Sequence, residues 1–278
     1  MWIDTHAHFD APEFDRDRNV LAADIARAGV HQVVIPSVMV GNFEKVRSLA
    51  HEFRLSYALG IHPMCVPASP DSDLELLAEA LDKYRDDPRL VAVGEIGIDL
   101  FIPELKEPAQ RARQEHMYRE QLKLARKAGL PVLLHVRRSS DVLLKHLRQI
   151  DGVGGIAHAF NGSRQQADAF IERGFALGFG GTVTFDTSMQ IRRIANEVPA
   201  SAIVMETDSP DIPPHWLYRT AAQREDGRRQ ALNTPVELPR IGAVLAGLRG
   251  VETTEFAALT TANALRVLPR LAALETGR

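Results

Sequence analysis

The sequence begins MWIDTHAHFD, a short apolar run that breaks into two histidines one residue apart, His6 and His8, with Asp4 before them and Asp10 after. In an extended segment residues i and i+2 point to the same side, so both imidazoles can reach one cation. The same break from apolar residues into a polar ligand recurs along the chain. GIHP ends in His62, VGE in Glu95, VLLH in His135, GIAH in His158, and METD in Glu206 and Asp208. Five of the ten histidines fall at such ends. Imidazole combined with carboxylate suits Zn²⁺, Mn²⁺ or Fe²⁺, and Mg²⁺ where more oxygen ligands are present. His6, His8, His135 and His158 with Glu95 and Asp208 are too many for one tetrahedral ion. They match two ions about 3.5–4 Å apart with a carboxylate between them, a centre suited to activating a shared water.

Each residue also has an ordinary structural role open to it. The His6–His8 pair could end a strand in hydrogen bonds, and a lone His135 or His158 after an apolar run could be a satisfied core histidine. Glu95 could be a buried ion-pair partner, Asp208 a helix cap, Asp99 a turn-former in GIDL, and Arg137 with Arg138 a solvated helix start. What these roles do not explain is why all the candidates stand at the same kind of position, directly after an apolar run.

The runs that end in these residues read as strands over 2–5, 32–36, 56–60, 90–94, 131–134, 154–157, 176–179 and 202–205. They are almost continuously apolar, as parallel strands buried on both faces are. Amphipathic stretches separate them: 17–28, 109–128 with Lys and Arg near its end and Gly129 as a stop, 141–149, 165–173 and 189–196. Segments 235–248 and 254–271 read as closing helices, and 212–229, rich in Pro, Arg and Gln, as a long loop. Eight strands each followed by a helix, joined by right-handed crossovers, predict an α/β fold of the (β/α)8 TIM-barrel type, with an open doubly wound sheet as the competing architecture. Catalytic groups of such barrels stand at the C-terminal ends of the strands, where the candidates fall.

The 278 residues fit one barrel domain over 1–278, with 45% hydrophobic and 25% charged residues. A net charge of −3 gives no global attraction to nucleic acid or acidic membranes, so any anion site is local. The single cysteine, Cys65, rules out an internal disulfide and fits a reducing compartment. No signal peptide and no apolar run of about 20 residues is evident, so the expectation is a soluble, cytoplasmic monomer with no membrane contact.

IDTHAHFD, GIHP, VGEIGID, PVLLHVRRSSD, GIAHAFNGS, METDSPDIPP and the late NTP and TANALRV segments resemble, in order and from residue 3 to about 268, the TatD family of metal-dependent hydrolases among the amidohydrolase-like TIM barrels. The resemblance implies a metal-dependent deoxyribonuclease; a D-aminoacyl-tRNA deacylase activity is attributed to some members. Carried onto this sequence, it implies that His6, His8 and Asp208 hold one metal and His135 and His158 the other. Glu95 would bridge them, and His62 and Arg137 would lie beside the substrate. The sequence departs from the family where His-x-Arg-Asp reads HVRR, with Arg138 in the acidic position. It departs again where Cys commonly follows the sixth-strand His and Ala159 stands here, and after GIHP, where His is common and Met64 stands here.

The expected reaction is hydrolysis of DNA phosphodiester bonds, 3′ to 5′ at single-stranded ends, with two divalent ions (Mg²⁺, Mn²⁺ or Zn²⁺). Asp208 serves as base and Glu95 as bridging carboxylate. His62 and Arg137 clamp the phosphate, while Arg138, Arg164 and the Arg192–Arg193 pair track the strand. Two alternatives use the same residues: a hydrolase of a small ester, amide or aminoacyl-tRNA ester, and a metal-stabilised barrel that only binds a partner.

Overall fold

The structure is a computed structural model that describes residues 1–227 and 230–275. The end of the expected 212–229 loop and the last residues of the expected 1–278 domain lie outside the described residues. The elements are β1 (Trp2–Asp4), α1 (Arg18–Arg27), β2 (Val30–Pro36), α2 (Phe43–Glu52), β3 (Ser56–Leu59), α3 (Ser72–Lys83), β4 (Leu90–Asp99), α4 (Pro108–Ala128), β5 (Val132–Arg137), α5 (Ser140–Gln149), β6 (Gly155–His158), α6 (Arg164–Ile171), β7 (Phe175–Phe179), α7 (Met189–Glu197) and β8 (Ile203–Met205). After β8 come a short α8 (Ala221–Glu225) inside the long loop, then α9 (Leu238–Arg249), α10 (Thr253–Val267) and α11 (Pro269–Glu275).

The eight strands form one parallel sheet in the order β1 to β8. The ends meet where Thr5 N–H donates to the Met205 carbonyl (3.0 Å) and Asp208 N–H donates to the His6 carbonyl (2.9 Å). This is the eight-stranded α/β barrel that the alternation predicts, and not an open sheet. The segments after β2 and β3, for which the sequence reading set no helix bounds, are α2 and α3. The first buries Phe43, Val46, Leu49 and Ala50, and the second Leu77 and Leu81, each set spaced along one helical face. The expected closing helix 254–271 is broken in two, between α10 and α11, just before Pro269, as the residue preceding a proline disfavours helix.

Two apolar layers hold the barrel. The inner one takes Ile3, Val34, Ala58, Val91, Ala92, Leu133, Ile156, Ala176 and Val204, so every strand contributes, and Ala264, Val267, Leu268 and Leu271 of the closing helices cover it from below. The outer layer packs the opposite strand faces against the helices. The barrel is therefore a filled core with its floor sealed, and only the C-terminal mouth is open to chemistry. β4 runs four residues beyond Glu95, to Asp99, with every residue buried, so Glu95 stands within a strand rather than at its tip. Its pairing with β5 shifts register between Val93 and Ile96.

Leu268, fully buried in the floor, is the residue whose truncation reads the seal. Leu268→Ala is expected to lower unfolding stability by roughly 2–5 kcal/mol in chemical denaturation, the usual range for a buried leucine that leaves a cavity. A loss below about 1 kcal/mol would show that the closing helices do not pack against the barrel floor.

Candidate metal centre

β1, β4, β5, β6 and the segment after β8 bring Glu95, His6, His8, His135, His158 and Asp208 into one cluster at the mouth. Glu95 is the centre. It is 2% exposed, with Oε2 at 3.1 Å from His6 Nε2 and 3.7 Å from His8 Nε2, and Oε1 at 2.9 Å from His135 Nδ1 and 4.0 Å from His158 Nε2. Burial works to raise its pKa, but the surrounding imidazoles His62, His6 and His135 outweigh it and hold the carboxyl well below the usual range. Asp208 Oδ1 lies 3.5 Å from His6 Nε2 and 3.7 Å from both His8 Nε2 and His158 Nε2.

Backbone pairing explains why these side chains meet. The Asp208 amide donates to the His6 carbonyl and the His8 amide to the Ser209 carbonyl (2.8 Å), so the two histidines and the aspartate are laced across the barrel seam. Asp208 has φ 52°, a left-handed conformation that non-glycine residues adopt only under local constraint. The constraint is a buried network under it. Asp4 accepts from the His6 and Thr207 amides (3.2 and 3.1 Å) and from Thr207 Oγ1 (2.6 Å). Asn233 Nδ2 donates to the Thr207 and Asp211 carbonyls (3.0 and 2.6 Å). Burial pushes the Asp4 carboxyl up to about 8 despite these donors.

Further carboxylates stand behind the histidines. Asp99 Oδ2 is 3.0 Å from His135 Nε2, which leaves Nδ1 facing Glu95. Burial acts to raise Asp99, but His135 and the Ile102 and Phe101 amides bring it down to about 2. Glu206 Oε1 accepts from the Ala159 amide (2.6 Å) and lies 3.0 Å from His158 Nδ1. Burial lowers the His158 pKa, yet Glu206 and Asp208 dominate and carry it to about 10. Glu206 on β8's exit reaches His158 of β6 across β7 because β7 offers Gly178 there; a Cβ at Gly178 would lie 2.6 Å from Glu206 Cδ. The sequence reading placed Glu206 at a strand end without a role and gave Asp99 only a turn. The glycine in ALGF was the available signal for the first, and nothing local marked the second.

These residues fit divalent cations. His6 is fully buried, and neither of its ring nitrogens makes a hydrogen bond. An unpaired buried polar atom is costly, and a ligand nitrogen facing a cation is its natural resolution. Ligand atoms of His6, His8 and Asp208 lie within 4.8 Å of one another, as do those of His6, Glu95 and His158 and those of His62, Glu95 and His135. The first set is the one the resemblance implies. His62 lies deeper than a residue merely beside the substrate: it is 8% exposed, with Nε2 at 3.1 Å from His135 Nδ1 and 3.3 Å from Glu95 Oε1. Its Nδ1 accepts the Met64 amide (3.1 Å), which puts the proton of a neutral ring on Nε2. An Nε2–H donates and does not ligate, so we read His62 as a donor at the edge of the cluster.

The cluster opens into a cleft of about 780 Å³ whose lining includes Arg137 and the apolar Val183, Ile191 and Ile212. Of the arginines expected to track a strand, Arg164 is taken up by Asp168 (2.8 Å) and Arg192 by the Val183 carbonyl (2.9 Å) and Asp186 (3.4 Å). Arg137, expected to clamp the phosphate, lines the cleft, with a guanidinium nitrogen 3.6 Å from Asp99 Oδ2. No helix among the described residues is long and apolar enough to cross a membrane.

A filled parallel barrel with histidines and carboxylates converging at its mouth defines the class of metal-dependent TIM-barrel hydrolases. Residues 3–269 match the family of TatD related DNases, and the chain belongs to that family. It is 38% identical over 258 residues to a protein of Escherichia coli K12 named an uncharacterized metal-dependent hydrolase, YjjV, covering 92% of this chain and 93% of the relative. The crystal structure of the YjjV TatD homolog from Escherichia coli superposes with a TM-score of 0.86 at 36% identity, over 96% of this chain and 98% of that one. The 3′-5′ ssDNA/RNA exonuclease TatD of Cronobacter sakazakii is 30% identical over 272 residues, covering 95% and 97%. The chain is thus a metal-dependent hydrolase.

Glu206→Gln tests the support behind His158. It is expected to weaken divalent-metal binding about 10–100-fold in competition with a chromogenic chelator, the usual effect of removing a carboxylate behind a ligating histidine. Unchanged affinity would mean that Glu206 serves the Ala159 amide alone.

Proposed function

We propose that this hydrolase cleaves phosphodiester bonds of DNA from the 3′ ends of single strands, using two divalent ions, Mg²⁺, Mn²⁺ or Zn²⁺. One would be held by His6, His8 and Asp208 and the other by His135 and His158, with Glu95 shared. The observation that carries the reading is Glu95, a buried carboxylate with imidazoles of four strands around it and Asp208 opposite, in a chain related over its whole length to a named exonuclease. When bound, such ions lower the pKa of a water between them and offset negative charge on a phosphoryl oxygen.

The chain's own groups supply the rest. Asp208, with its side chain 13% exposed at the mouth, orients the attacking water and takes its proton on a carboxylate oxygen. His62, donating through Nε2, and Arg137, with a fork of N–H donors, hold the phosphate. The floor of the barrel is sealed, so substrate enters and leaves by the mouth. The whole cluster comes from one chain, which fits a monomer, and a lone cysteine fits a reducing, cytoplasmic compartment.

A second reading, hydrolysis of a small ester, amide or aminoacyl ester, draws support from the apolar wall of Val183, Ile191 and Ile212 and from the arginines withdrawn into ion pairs. The test is purified protein with end-labelled single-stranded DNA, Mg²⁺ or Mn²⁺ against chelator, beside Asp208→Asn. The expected result is metal-dependent shortening from the 3′ end, slowed at least about 100-fold in the variant, as loss of a general base requires. Protein shown to hold its metals yet leaving DNA intact would move the assignment to the small-ester reading. Full activity in Asp208→Asn would remove Asp208 as base.

A further inference from the structure

Most phenylalanines of this chain are buried, but Phe101 is 43% exposed. It stands two residues beyond the end of β4, and the metal centre itself fixes it there. Asp99, whose Oδ2 faces His135, accepts the Phe101 and Ile102 amides on Oδ1 (2.7 and 3.1 Å), and the Leu100 amide donates to the Arg137 carbonyl (2.9 Å). The guanidinium carbons of Arg137 and Arg138 lie 4.0 and 4.8 Å from the centroid of the Phe101 ring. Arg137 lines the cleft, so the ring continues the cleft wall outward. Arg137 also reaches Asp99 Oδ2 at 3.6 Å, whereas Arg138 forms no ion pair with any described residue and holds φ 58°, the left-handed region, directly after β5.

We infer that Phe101, with Arg137 and Arg138 over its ring, is a stacking platform for a nucleobase next to the scissile phosphate. The inference rests on the nuclease reading above and deepens it. An aromatic face and guanidinium planes stack on any base without reading its sequence, and the guanidinium N–H groups are then placed for the adjoining phosphate. The position is set by Asp99: the same carboxylate orients His135 and anchors the platform's backbone. A small apolar ester or amide would have no use for two cations held on the ring. A strand end with a base would use both halves of the platform, whereas a strand end without one would use only the cations.

The experiment compares kcat/KM on two 5′-labelled single strands, identical except that one ends in abasic nucleotides, for the metal-loaded wild type, Phe101→Ala and Phe101→Tyr. The wild type is expected to prefer the base-bearing end by about 5- to 150-fold, the range that stacking of one base provides. Phe101→Ala should erase that preference by slowing the base-bearing strand alone, and Phe101→Tyr should keep it. Equal slowing of both strands by Phe101→Ala would show a structural role for the ring and overturn the inference. A wild type that cleaves both ends equally would overturn it too, with the nuclease reading intact. A wild type that holds its metals and cleaves neither strand would overturn the nuclease reading and the platform with it.

Discussion

One carboxylate sets the terms for the rest of the molecule. Glu95 sits inside a strand, 2% exposed, and an anion at that depth is stable only if positive charge or strong donors surround it. The barrel meets this demand by closing the other strands around it. β1 brings His6 and His8, β5 His135, β6 His158, and the turn after β3 brings His62 within 3.3 Å. The imidazoles hold that carboxylate ionised, and Asp208, Asp99 and Glu206 add further negative charge nearby. The upward shift of His158 to about 10 expresses the same excess. A centre built this way attracts cations, and divalent ions satisfy the histidine nitrogens and the carboxylates together.

The costs of assembling such a centre appear in the backbone just past the strands that feed it. Arg138, Ala159 and Asp208 follow β5, β6 and β8, and all three take positive φ without being glycine. Sparsely populated conformations persist where the surroundings over-determine them. For Asp208 the surroundings are visible: the Asp4–Thr207–Asn233 network below and the two backbone bonds to β1. The sealed floor and the two apolar layers provide the rigidity against which this local strain is held.

Much of this was legible in the amino-acid order. The strands announce themselves as apolar runs, and the break from run to ligand marks the mouth, so the barrel and the residues gathered there follow from position, while their division into metal ligands and neighbours rests on the resemblance. The register is less legible. Glu95 reads as a strand end but lies mid-strand, because β4 continues through IGID, whose alternation of Ile with Gly and Asp hides its burial. α2 and α3 carry start signals, Asn42 before the first and the Asp71–Glu75 stretch at the second, and good helical faces, but the sequence reading set no bounds for them. Long-range partners are least visible. Glu206 reaches His158 only because Gly178, on an intervening strand, carries no side chain, and Asp4 meets Thr207 across 203 residues of sequence. The arginines mislead in the opposite way: their places after the strands suggested a path for a nucleic-acid strand, while Arg164 and Arg192 fold back onto their own helices and loops.

The central claim is that Glu95 divides two cations at the mouth of the barrel. Anomalous diffraction from crystals equilibrated with Mn²⁺ tests it most directly. The account predicts two peaks in contact with Glu95, one among His6, His8 and Asp208 and the other at His135 and His158. A single peak away from Glu95, or none within the cluster at saturating Mn²⁺, would contradict it.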